Sequence, residues 1–513
     1  MFHPPLVLGV DCSTHGAKVC AWTLDGEPAA EARVPVALLS PHPGWYEQHA
    51  PDWFNATTSA IAALPSEVRA RVRAIGVTHQ RETFVGVDQN GTPVRNAIVW
   101  MDERAWSEVA FLRESIGEEA FHATTGKPIS LTPSIAKLQW IRRHEPSTFR
   151  AAVRWLDVFG YLVCHLVGKD VTSAGSAEAM GLLELRTERW STVLLDHVGL
   201  DETLMPKIVA AGSVVGSLQA HVAEQCGLGS GIPVVGTAGD GQVAAVAAGV
   251  FNLELAYLNL GTAVVSGTVG HSFLQSRAFR TMGGGVPGTY LFESDIKGGT
   301  FTLDWLRERL LRGSMSVQDL ETQAAKIAPG ADGLVCVPYF AGVMNPYWDD
   351  DASGVLLGLR DAHGPAHVFR SMLEGVALEQ RLHLREIERA TGVPIRELRV
   401  MGGGASSDLW CSMIADVLRR PVVRTRSREA TSLGAAMIAA AAVGLFSSVE
   451  AAASVMGGTA ERFEPGPNAD RYDDLFDTVY VGLYPSLRSA MTNLARFTRG
   501  RPYAPEGCSR PKD

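Results

Sequence analysis

Asp240 stands in a glycine-rich turn, Gly236-Thr-Ala-Gly-Asp-Gly-Gln242, between two apolar runs. Ile232 to Val235 reads as a buried strand, and the small apolar residues Val243 to Val250 as a tightly packed helix. This order puts a carboxylate where a strand ends and a helix begins, on backbone that a ligand can approach closely. Three further loops are built alike: Asp11-Cys-Ser13-Thr14, Gly261-Thr262-Ala263 and Gly402-Gly403-Gly404-Ala-Ser-Ser407. An Asp beside a Gly usually means only a turn. One carboxylate base together with several glycine and hydroxyl loops is what phosphoryl transfer requires.

Each loop has a chemistry of its own. Asp11, ending the first strand, could hold Mg²⁺ through water, with Ser13 and Thr14 bonding phosphate oxygens and Lys18 one turn-length onward. Thr262 is the matching hydroxyl from the second half. His79-Gln80-Arg81-Glu82 lies between two strands, where Gln80, Arg81 and Glu82 could hydrogen-bond a polyol and Trp100 could wall its carbon skeleton. Ser134-Ile-Ala-Lys137 matches the Ser-x-x-Lys of serine β-lactam enzymes but has no Lys-Thr-Gly or Ser-Asp-Asn companion, so it reads as a helix start. There is no Gly-x-x-x-x-Gly-Lys-Ser/Thr, and Gly227-Leu-Gly229-Ser-Gly231 precedes a strand instead of opening a helix. Both a P-loop and a dinucleotide fingerprint are thereby excluded.

The elements that must position these loops alternate between strands and helices. Strands are expected at Leu6 to Val10, Ala17 to Leu24, Ala74 to Val77, Thr83 to Val87 and Pro93 to Val99, the last two flanking an Asn90-Gly91 turn. A helix is expected at Asp52 to Leu64, capped by Asp52, and helices dominate from Asp102 to about Leu228, notably Ile135 to Arg143 and Val153 to Val167. After Asp240 the pattern restarts: strand Ala256 to Leu260, turn Gly261-Thr262, strand Ala263 to Thr268. A long helix follows near Pro365 to Thr391, then a strand at Leu398 to Met401 and a helix capped by Ser406 or Ser407. Two related α/β domains facing across a cleft account for this echo. At 513 residues the chain is too long for one core. The net charge of −9 has no basic block, which argues against nucleic acid and anionic membranes as partners. The seven cysteines are scattered without a CxxC, and the N-terminus lacks a signal-peptide pattern, so a cytoplasmic protein is expected.

Taken together, from about Leu6 to Phe446, the chain resembles the FGGY carbohydrate kinases. The matching pieces are Gly9-Val-Asp-Cys-Ser-Thr, Gly236-Thr-Ala-Gly-Asp-Gly-Gln, Leu260-Gly-Thr, Asn345-Pro-Tyr-Trp-Asp, Gly402 to Pro421 and Glu429-Ala-Thr-Ser-Leu-Gly-Ala-Ala. The resemblance implies two actin-like (ribonuclease H-like) domains, at 1–242 and 243–498, flanking a catalytic cleft that binds ATP, Mg²⁺ and a sugar or polyol. A tail at 499–513 reads as frayed, and a homodimer is the family-level expectation. The resemblance makes Asp240 the catalytic base and a second neighbour of the Mg²⁺ placed by Asp11. Ser13, Thr14, Lys18, Gly261 and Thr262 would then face the phosphates, and Gly403, Gly404 and Ser407 the nucleoside. Gln80-Arg-Glu-Thr and Asn96 to Arg104 look like glycerol kinase, carrying its substrate-side Arg, Glu and Trp onto Arg81, Glu82 and Trp100. Gly241 after the base, no Tyr near Thr132, and Val264-Val265 in place of an apolar Phe wall depart from that branch and imply a wider pocket. The opening Asp-x-Ser-Thr and Gly402 to Trp410 look more like xylulokinase, although Thr78-His79-Gln80 stands where that branch carries Met-His. A kinase for a sugar or polyol larger than glycerol results, with a pentulose such as xylulose as best choice. Glycerol or another polyol is the alternative, and an actin-like ATPase switch without sugar transfer the alternative of another class.

Overall fold

The computed structural model describes residues 4–499. Two sheets organise the chain. The first is formed by β1 (Leu6–Ser13), β2 (Gly16–Trp22), β3 (Pro28–Pro35), β4 (Val72–His79), β5 (Val214–Ser217) and β6 (Pro233–Gly236), in the order β5-β6-β4-β1-β2-β3. β1, β2 and β3 form an antiparallel meander, while β4 and β6 join it in parallel. The second sheet contains β7 (Leu255–Leu260), β8 (Val264–Gly270), β9 (Arg280–Gly283), β10 (Tyr290–Ile296), β11 (Glu397–Met401), β12 (Val422–Thr425) and β13 (Thr459–Phe463). Its order, β9-β10-β8-β7-β11-β12-β13, repeats the first plan: a meander β7-β8-β10, then two parallel strands and an antiparallel edge. The faint echo in sequence is therefore a duplication of topology.

The two halves meet through a pair of helices, α1 (Asp240–Ala247) and α2 (Ala430–Ala442). α2 lies between β12 and β13 of the second sheet in sequence, yet it packs against β1 and β4 of the first sheet and against α1. Small residues permit this. A Cβ on Gly9 would stand 1.9 Å from the Ser432 carbonyl oxygen, and one on Gly434 would stand 1.9 Å from that of Val243. The apolar core at this junction takes Val7, Trp22 and Ala74 from one half, and Tyr257, Met282 and Leu291 from the other. Ser432 completes the seam by donating to the Gly9 carbonyl and accepting from the Trp22 indole, at 2.9 and 3.0 Å.

Several expectations are corrected. The helix expected at Val153 to Val167 begins only at Val158, because Arg154–Asp157 pairs with Phe84–Val87 and buries Trp155 and Leu156; Asp157 then caps the helix by accepting from the Gly160 amide. Short strands such as Val171–Ser173 and Lys207–Val209 interrupt the stretch expected to be mainly helical. Asp52 is no cap: Ala50 and Pro51 open that helix, and Asp52 bonds the His49 ring from the first turn. Ser407, not Ser406, caps the helix Asp408–Leu418. The Asn90-Gly91 turn is present, with Gly91 at a φ of 77°. The tail expected to fray from Arg499 lies, beyond its first residue, outside the described residues.

Replacing Gly434 with Ala tests the seam. Helix propensity alone favours Ala by about 1 kcal/mol, but the backbone contact at 1.9 Å outweighs it. Gly434→Ala should destabilise the protein by about 1–3 kcal/mol, read as a lower urea midpoint at unchanged m-value; an unchanged midpoint would mean the seam is loose.

Candidate active site

The candidate residues gather at one end of both sheets. Asp11 lies near the end of β1, Gln80 to Glu82 follow β4, and Asp240 opens α1 four residues after β6. Gly261 and Thr262 turn β7 into β8, while Gly402 to Gly404 follow β11. In open α/β sheets the crevice beyond the carboxyl ends of the strands is where ligands bind. Thr78 and Thr237 fix the approach to Asp240 by donating to the Ala238 and Val77 carbonyls.

Asp240 is set by a buried electrostatic cluster. Its Oδ1 forms an ion pair with Arg81 Nε at 2.9 Å and accepts from the Gly241 amide at 2.8 Å, and its side chain is 43% exposed. The other end of Arg81 reaches into the second half, where Nη1 meets both oxygens of Glu293 at 3.1 Å. Glu293 also accepts from Arg280 and from the Tyr257 hydroxyl. Burial opposes its ionisation, yet the two guanidiniums prevail and hold the carboxyl below its ordinary value. Burial likewise opposes the charge on Arg81, but Glu293, Asp240 and Glu82 hold it well above the ordinary range. A fully enclosed carboxylate is tolerable because three donors satisfy it.

This cluster explains the Gly-Asp-Gly sequence. A Cβ on Gly239 would stand 2.4 Å from Arg81 Cγ, and one on Gly241 would stand 2.5 Å from Glu293 Oε2. The space beside the carboxylate is therefore filled by Arg81 and Glu293, so Gly241 does not widen the pocket as expected. Val264 points into the core of the second half, leaving only half-buried Val265 on the side facing Asp240.

Four expected contacts are corrected. The Thr14 hydroxyl donates to Gln80 and accepts from the Trp100 indole, both at 3.0 Å, and the Ser13 hydroxyl donates to the Gly16 carbonyl, so neither has a proton left for phosphate. Lys18 faces Glu429 and Glu31 at 2.7 and 3.3 Å. Gln80 is buried, its amide bonded to Thr14, Thr83 and Gln48, so it braces the loop instead of meeting a sugar. The Ser407 hydroxyl accepts from the Trp410 amide and keeps its own proton to donate, and Gly404 packs against Trp410 and Leu260. Gly403 and Thr262 are exposed, and Gly261 half-buried.

The Ser134-x-x-Lys137 pair proves structural to this site. Ser134 donates to the Glu82 carbonyl, where Glu82 has a φ of 56°, and Lys137 donates to the Trp100 and Thr132 carbonyls. Burial pulls Lys137 down to about 8, but a neutral amine still donates two hydrogen bonds. Sequence reasoning missed Arg280, Glu293 and Tyr257 altogether, since alternation along β7, β9 and β10 marks a face but not its partner.

The residues also fit a divalent cation. Asp11 Oδ2 accepts from the Thr431 hydroxyl at 2.7 Å, while Oδ1 is buried without a partner. Burial, together with repulsion from Asp240 and Glu429, pushes Asp11 up to about 7 against the Thr431 bond. Among the described residues no cluster of three or more His, Cys, Asp or Glu converges. Two carboxylates, one of them half-exposed, suit Mg²⁺, which keeps most of its hydration.

Comparison with known proteins decides the family. The N-terminal domain of the FGGY family of carbohydrate kinases matches residues 6–247, and its C-terminal domain residues 256–443. The chain belongs to the FGGY family of carbohydrate kinases. FGGY kinases transfer a phosphoryl group from ATP to a hydroxyl, and their fold is the actin-like pair of domains described above. This FGGY chain is 33% identical over 488 residues to a glycerol kinase of Aromatoleum aromaticum, covering 91% of this chain and 95% of that one. It is 28% identical over 502 residues to a xylulose kinase of Bacillus subtilis, covering 96% and 99%. The crystal structure of a xylulose kinase from Rhodospirillum rubrum superposes with a TM-score of 0.88 at 30% identity, covering 95% and 99%. No helix among the described residues is long and apolar enough to cross a membrane.

The Asp11 environment makes a signed prediction. With a folded pKa near 7 against 3.8, ionisation of Asp11 destabilises the metal-free protein progressively from about pH 4 to 7, and fully above that. Asp11→Asn should therefore raise Tm relative to the unchanged protein more at pH 8 than at pH 4.5, both without Mg²⁺; a difference independent of pH would contradict the assignment.

Proposed function

We propose that this kinase moves the γ-phosphoryl group of ATP to a hydroxyl of a neutral sugar or polyol larger than glycerol, a pentulose such as xylulose fitting best. The observation that supports it most is the state of Asp240. Its ion pair with Arg81 and its hydrogen bond from Gly241 both fall on Oδ1, and neither reaches Oδ2 of this half-exposed carboxylate. Oδ2 is thus the atom to take the acceptor proton as the acceptor oxygen forms its bond to the γ-phosphorus and the bond to ADP breaks. Arg81 holds the base in its orientation. Glu82 and Trp100, braced by Ser134 and Lys137, line the acceptor side, while Gly261, Thr262 and Gly403 face the nucleotide. Asp11 and Asp240 would hold Mg²⁺, which when bound neutralises charge on the β- and γ-phosphates. The unpaired state of Cys12, Cys20, Cys164, Cys226, Cys336 and Cys411 agrees with a cytoplasmic setting.

Glycerol is the second reading, favoured by the similarity to a protein named glycerol kinase. ADP release measured with xylulose, ribulose, glycerol, erythritol, xylitol, arabinitol and no acceptor separates the readings. Release equal in all wells would favour a bare ATPase. Asp240→Asn should lower kcat by about 100-fold or more with ATP binding near normal; an unchanged kcat would remove Asp240 from the role of base.

A further inference from the structure

We propose that Arg280 and Asp295 form a subsite for a distal hydroxyl of the acceptor, which selects polyhydroxy compounds longer than three carbons. This rests on the kinase reading above and deepens it. Strand register places the pair: β8 and β10 align Val265 with Asp295 and Gly267 with Glu293, and β9 aligns Arg280 with Glu293. Since side chains alternate, Val265, Glu293, Asp295 and Arg280 share the sheet face that meets Arg81. Half-buried Val265 thus stands directly opposite Asp295, at the place where the sequence lacks an aromatic wall.

Two atoms on this face lack partners, and their characters are complementary. Asp295 Oδ1 is a buried acceptor with no hydrogen bond, and Arg280 Nε is a buried donor with none. Arg280 is only 6% exposed, and its two terminal nitrogens are taken by Glu293 and Glu82. The nearest approach of the two groups, Arg280 Nη2 to Asp295 Oδ2 at 4.0 Å, is too long for a hydrogen bond. Buried polar groups left unpaired in a folded protein call for a partner outside it. A hydroxyl donates and accepts at once, so a sugar hydroxyl suits either atom. Burial also raises Asp295 above the ordinary carboxylate range, against the attraction of Arg280, a state that a donated hydrogen bond relieves.

The pair sits among charges of both signs. Asp240, Glu82, Glu293 and Asp295 face Arg81 and Arg280, with Lys137 also acting on Glu82 and Lys297 on Asp295.

The test compares glycerol with the best of xylulose, ribulose, erythritol, xylitol and arabinitol, in the unchanged protein and in Asp295→Ala and Asp295→Asn. The unchanged protein should prefer the longer acceptor. In Asp295→Ala the ratio of kcat/KM for long over short acceptor should fall by about 10- to 100-fold, mainly through the KM of the long acceptor. Asp295→Asn, which keeps the shape, guards against misfolding and should fall part of the way. Equal losses on both acceptors would make Asp295 merely structural and overturn the proposal, as would a preference for glycerol in the unchanged protein. Absence of acceptor-dependent ADP release in the unchanged protein would instead overturn the kinase reading, and this subsite with it.

Discussion

Everything at the site hangs on one buried ion pair, Arg81 with Glu293. Arg81 follows a strand of the first sheet, and Glu293 lies within a strand of the second, yet they meet with almost no exposure to water. Such a pair is stable only when every polar atom is served. Arg280 and Tyr257 complete Glu293, and Nε of Arg81 pairs with Asp240. The domain junction and the orientation of the base are thereby one interaction. Any motion that separates the sheets must either carry Glu293 along or strip Arg81 of its anchor.

The glycines around this pair do a different job from the one their positions suggest. A glycine beside a carboxylate suggests room for ligand, but Gly239 and Gly241 make room for the protein itself, for Arg81 and Glu293. The same logic operates at the seam, where Gly9 and Gly434 let α2 press on β1 and α1. Close backbone packing at the seam and a crowded charge cluster at its end give the site a rigid floor. On that floor Asp240 keeps one oxygen free.

The architecture was largely legible in the sequence. Leu6 to Val10, Ile232 to Val235 and Ala256 to Leu260 read as strands because each is a short apolar run that ends at a glycine or an acid, and the long helix from Pro365 to Thr391 carries its own Pro start. The strand Arg154–Asp157 was missed because an apolar run of that length suits a buried helix equally well. Among site residues, the turns at Asp11, Asp240 and Thr262 could be read from local spacing. Arg280 and Glu293 could not, since their meaning comes from residues about 200 positions away. Ser13, Thr14, Lys18 and Gln80 carry the right groups, but nearby partners consume them, and a linear sequence does not display who bonds whom.

The central claim is that Arg81 acts on Asp240 through its anchor on Glu293. A double-mutant cycle in kcat, with Arg81→Gln, Glu293→Gln and the double variant, measures this directly. The account predicts strong coupling, about 0.5–3 kcal/mol, with the double variant hardly worse than Arg81→Gln alone. Losses that simply add would contradict it, because Arg81 and Glu293 would then be acting independently.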